Sequence, residues 1–200
     1  MQLHKNRKNG DDFMKKILTP VLAFLFTFVI VVPTFASENS EQNLEALTEN
    51  KGEITFVDDE ITITDFGDNP EISDAIFNHP DSVVSDANFG VNGLGITPYS
   101  SVTGPGGRAS IVAGDSGRIL YWSVKPATAW PFHFSGLVKL RYHSGFSRNA
   151  VIGSMGILGQ TVSGSVGMNR NNGGVAYLSG TAYAITREKF KVLPGVHTSF

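Results

Sequence analysis

Phe132 to His143, FHFSGLVKLRYH, decides the fold class. Phe132, Phe134, Gly136, Val138, Leu140 and Tyr142 share one parity. His133, Ser135, Lys139, Arg141 and His143 share the other, with Leu137 the apolar exception. A period of two sustained over about 12 residues marks a strand with one buried and one wet face. Strands of that length exceed the usual range, so Ser135-Gly136 is expected to mark a bulge or bend.

The neighbouring segments repeat the pattern. Ile119, Tyr121 and Ser123 oppose Leu120, Trp122 and Val124. Thr161–Met168 and Val175–Thr186 read as two further strands, with Arg170-Asn171-Asn172-Gly173-Gly174 as the turn between them. Residues 149–169 hold no charge. As strands they would be an uncharged hairpin able to enter a bilayer, and as a helix a small-residue packing face. The plain reading is a Gly-rich core strand and loop. Short strands with glycine punctuation predict an all-β chain, an antiparallel β-sandwich or small barrel over 108–200.

Upstream the composition changes. Residues 89–107, rich in Gly and Pro, read as a linker. Residues 37–88 read as an acidic leader or pro-like segment, partly disordered, with a short hairpin and helix. In the hairpin, Ile54 and Phe56, then Ile61 and Ile63, alternate with polar residues around an Asp58-Asp59 turn. Asn69-Pro70 opens the helix as N-cap and first residue, and His79-Pro80 closes it. Residues 1–36 read as a secretory signal: Lys15-Lys16, the uncharged run Ile17–Val32, then Thr34-Phe35-Ala36 as cleavage site. The expected mature chain is secreted and extracellular, with no transmembrane anchor. An exported chain without cysteine points to a bacterium lacking an outer membrane.

The net charge of −2 hides a split. Residues 37–100 carry 14 acidic groups and one basic group, Lys51, whereas residues 101–200 carry ten basic groups and two acidic ones, Asp115 and Glu188. With so few carboxylates, acid–base catalysis in the C-terminal half is disfavoured. Without cysteine there is no thiol chemistry or disulfide framework.

Gly114-Asp115-Ser116-Gly117 resembles the nucleophile motif of trypsin-like proteases, but only His79 precedes it in the expected mature chain. Asp115-Ser116-Gly117 is therefore read as a hairpin turn. His133 and His143 sit about 33 Å apart on a straight strand, too far to share an ion. Asp58-Asp59-Glu60 does not match a calcium loop. The expectation is a protein that is not an enzyme, with no cofactor and no metal.

What remains is surface chemistry. Trp122, Trp130, His133, Lys139, Arg141, His143, Arg187, Lys189 and Lys191 are the candidate ligand-binding residues. Basic and aromatic groups together suit an anionic cell-wall polymer, polysaccharide or lipid surface. Nucleic acid has the same charge, but export removes it as a partner. The first expected function is non-enzymatic binding of anionic envelope ligands. The alternative is a precursor of a cationic antimicrobial or pore-forming protein, masked by its acidic leader and released by cleavage near residues 90–108.

Overall fold

The computed structural model describes residues 43–82, 84–86, 101–104, 106–170, 173–192 and 196–200, all within one unit, Glu41–Phe200. The expected signal at 1–36 lies outside the described residues, as does most of the expected linker. In chain order the elements are α1 (Leu44–Thr48), β1 (Glu53–Val57), β2 (Ile61–Gly67), α2 (Pro70–Asn78), β3 (Val84–Asp86) and β4 (Ser101–Gly104). There follow β5 (Gly107–Ala113), β6 (Ile119–Pro126), β7 (Phe132–Tyr142), β8 (Ser147–Gly156), β9 (Val162–Met168), β10 (Gly174–Ala184), β11 (Lys189–Lys191) and β12 (His197–Ser199).

The strands form a β-sandwich. Sheet 1 runs β1-β2-β9-β6-β5-β4-β3, antiparallel except for the parallel pair β3–β4. Sheet 2 runs β11-β10-β7-β8, with β12 also on β10. The main core lies between the sheets: Ile61, Ile111, Leu120, Trp122 and Val166 from sheet 1 meet Phe132, Phe134, Val138, Leu140 and Leu178 from sheet 2.

The alternation read in β7 holds along its whole length. Its even-numbered residues face the core, and its odd-numbered residues face outward. The bulge expected at Ser135-Gly136 is absent, because β7 keeps an unbroken register with both β8 and β10. Glycine serves a different purpose there. Gly136 pairs with Gly180, and a Cβ on Gly136 would come within 2.5 Å of the Phe134 ring. The two glycines leave room for that ring on the inner face.

The connections differ from the expected ones. Asp115-Ser116-Gly117 does turn β5 into β6. By contrast, β9 and β10 belong to different sheets and do not form the expected hairpin. The uncharged stretch is likewise no hairpin: β8 pairs with β7, while β9 pairs with β6 and β2.

The acidic segment is built into the sandwich. β2 pairs with β9 along its length, and Ile61 and Ile63 enter the main core. β1 is an edge strand, exposed throughout. Asn69 caps α2 by accepting from the Ile72 amide at 3.3 Å, with Pro70 at the helix start. A second core packs Leu44 of α1 and Ile72, Ala75 and Ile76 of α2 on Val112 and Tyr121 of sheet 1. Leu44–Thr48, within the expected leader, is thus a helix docked on sheet 1. Of the expected linker, 101–104 is strand β4, paired with β5.

Candidate functional site

The two sheets expose their outer faces differently. Over the middle of sheet 1 lie α1 and α2, and beneath them Tyr121 shares its hydroxyl with Thr48 at 3.1 Å. Burial pushes the Tyr121 phenol above its usual range. A row of serines, Ser101, Ser110, Ser123 and Ser163, crosses four strands of this sheet and is buried. Ser110 bonds Ser82 at 2.9 Å.

Sheet 2 has no such cover among the described residues. Its outward positions line up in rows set by the register. Met155, His133, Tyr183 and Lys189 form the first row, and Gly153, Ser135, Thr181 and Lys191 the second. Further along, Asn149, Lys139, Tyr177 and His197 form another, followed by Ser147, Arg141, Val175 and Ser199. Tyr177 stacks on His197 with ring centroids 5.6 Å apart, and the Lys189 ammonium lies 5.7 Å from the Tyr183 ring. The five strands of sheet 2 contain no Asp or Glu. No ion pair among the described residues engages Lys139, Arg141, Lys189 or Lys191.

Five of the sequence-predicted residues, His133, Lys139, Arg141, Lys189 and Lys191, thus share one face. The other four do not lie on it. Trp122 is 1% exposed and packs on Phe134 with centroids 5.6 Å apart, so it is a core side chain and not a ligand platform. His143 is exposed in the β7–β8 turn. Trp130 and Arg187 sit in loops at the end of the sandwich where β7 begins. Tyr177, Tyr183 and His197 also belong to the face, and their outward parity on β10 and β12 is the sequence signal for it.

That end is apolar. Loop 127–131 precedes β7, loop 157–161 follows β8, and turn 185–188 follows β10. Register places the three together, since Phe132 pairs with both Gly156 and Ala184. Ile185 N donates to Pro131 O at 3.1 Å, and a Cβ on Gly159 would come within 2.4 Å of Thr128 O. Trp130 (53% exposed), Ile157 (53%), Leu158 (72%) and Ile185 (68%) all face water there, with Met155 (73%) beside them.

Two backbone positions at this end are strained. Gln160 N bonds Ile157 O at 3.0 Å, closing a turn whose central residues Leu158 and Gly159 have φ of 49° and 70°. This is the type I′ pattern, which favours Asn-Gly. Arg187 holds φ 70° in the β10–β11 turn. A bulky side chain in the left-handed region costs about 1 kcal/mol. The third non-glycine residue with positive φ among those described, Asn50, is of a type that tolerates it.

The opposite end carries paired charges, beside the exposed Val57 of β1. The β1–β2 turn accepts backbone bonds on Asp58 from Glu60 N and Ile61 N, both at 2.8 Å. Arg148 of sheet 2 pairs with Asp58, and with Glu60 at 3.6 Å. Arg170 reaches Glu60 at 3.1 Å. The two backbone amides, then Arg148, hold the Asp58 carboxyl below its usual range. Along the side of the sandwich, between the β1–β2 hairpin and strands β7 and β8, opens a cleft of about 440 Å³, with Phe56, Ile63, His133, Ser135, Arg148 and Asn149 in its wall. Among the described residues no three His, Asp or Glu side chains come together as a metal site.

No family model matches this chain, and no curated protein matches it.

Proposed function

We propose that the chain is a secreted, non-enzymatic β-domain that binds an anionic surface of the cell envelope through the outer face of sheet 2. The observation that carries this reading is the partition of the cations. Arg148 and Arg170 are paired with carboxylates at the polar end, while among the described residues Lys139, Arg141, Lys189 and Lys191 have no ion-pair partner, and the strands that carry them hold no carboxylate. Cations left in this way raise both on-rate and affinity toward a polyanion. Tyr177 and Tyr183 add amphipathic contact area beside them.

The masked-precursor alternative has less support. Loss of the acidic segment would strip β2 from β9 and take Ile61 and Ile63 out of the core. That pairing favours the acidic part as a permanent partner of the basic part.

Sedimentation with isolated cell envelopes tests the reading. Retention that falls steeply with salt is expected, and the double variant Lys139→Glu with Arg141→Glu is expected to lose most of it. Retention indifferent to both salt and these substitutions would sink the proposal.

A further inference from the structure

Resting on that reading of the basic face, we propose that the anionic surface is a lipid bilayer. The apolar end of the sandwich, Trp130, Ile157, Leu158 and Ile185, enters its interfacial layer. Sheet 2 then lies toward the headgroups, with Met155 and Val151 on the same side.

Four observations converge on this occupant. Charge is the first: the cations of the face, joined by Arg187 at the end itself, complement anionic headgroups. The exposed groups at the end are mainly aliphatic. A sugar chain or wall polymer offers such groups little apolar cover, whereas a bilayer removes them from water. Third, an exposed tryptophan beside aliphatic side chains suits the headgroup boundary, where an apolar ring with one polar N–H is at home. Finally, the two bulky residues held at positive φ, Leu158 and Arg187, are both at this end. Local turn chemistry would choose Asn or Gly at each. One is instead an apolar side chain and the other a cation, the two kinds of group that bind an anionic bilayer.

The end is also firm. Ile185 is hydrogen-bonded to Pro131, and Gly159 seats against Thr128, so the side chains are presented without an ordering step at the surface.

The test uses a chain beginning at Ser37, which contains every described element and both cores. The apolar run 17–32 would otherwise bind vesicles by itself. Binding is measured on phosphatidylcholine vesicles with and without phosphatidylglycerol, and on isolated cell walls. Trp122 is already buried, so a vesicle-dependent change in tryptophan emission reports Trp130.

The expected result is binding to the phosphatidylglycerol vesicles, a blue shift, and protection of Trp130 from aqueous acrylamide. Leu158→Asn should weaken binding about tenfold, the share of one buried aliphatic side chain, without lowering Tm. Ile185→Ser is a second variant outside the Leu158 turn, and it should weaken binding to a similar degree. Suppose vesicle binding persists, but Trp130 stays open to acrylamide and both variants bind like the parent. Insertion is then overturned while the basic-face reading stands. Retention on walls without vesicle binding overturns the lipid assignment alone. Failure to bind either surface overturns both proposals.

Discussion

The two ends of the sandwich treat their side chains in opposite ways. At the end holding the β1–β2 turn, acids and bases satisfy one another: Asp58 and Glu60 meet Arg148, Glu60 meets Arg170, and Asn169 donates to Asp59 O at 2.8 Å. At the other end, Trp130, Ile157, Leu158 and Ile185 face water. Two turn residues there adopt backbone angles their side chains oppose. One end is arranged for the stability of the folded chain. The other gives up stability and solubility, as sites of function commonly do.

Substitutions at each end sharpen this contrast. The largest effect belongs to Ile61, where β2 enters the core at the polar end. Ile61→Ala should cost about 2–4 kcal/mol in urea unfolding. A near-neutral result would mean that the acidic hairpin is an appendage rather than part of the core. Next comes Arg148→Leu, which leaves Asp58 and Glu60 without their shared cation. The side chain is one-third exposed, so solvent screening limits the loss to a few degrees in Tm.

Acid addresses the same end by another route. Asp58 has a folded-state pKa below its unfolded value, so its stabilisation is present at neutral pH. It is lost as pH falls through the folded-state value. Tm of the parent should therefore drop more between pH 5 and pH 3 than Tm of Asp58→Asn; equal slopes would remove Asp58 as a source of acid sensitivity.

The smallest effect should have the opposite sign. Leu158→Asn suits the type I′ turn and should raise stability by up to about 1 kcal/mol. A clear loss of Tm would show that Leu158 supports the fold, and the contrast between the ends would fail.

Much of this fold was legible in the chain. β7 could be read because polar and apolar residues alternate on it without conflict, and α2 because Asn69 and Pro70 announce it. β8 was obscured by its own chemistry. Val151 and Met155 face outward while Ser154 and Gly156 face the core, which reverses the usual pattern. Trp122 was misplaced for a related reason: both faces of sheet 1 are covered at β6, so exposure there has no sequence signature. Lys139 and Arg141 could be joined by parity alone. Lys189 and Lys191 reach the same face only through pairing of β11 with β10, a long-range fact that periodicity does not carry. The apolar end was hidden because its residues come from three separate loops.

The pairing of β2 with β9 has a consequence in time. Ile61 finds Met168, more than a hundred positions later in the chain. A sheet closed by so distant a partner forms late and slowly, on the millisecond-to-second scale usual for such topologies. Until β9 has been made, Ile61 and Ile63 have no strand to lie against. The seven-stranded sheet therefore cannot close until most of the chain has been made.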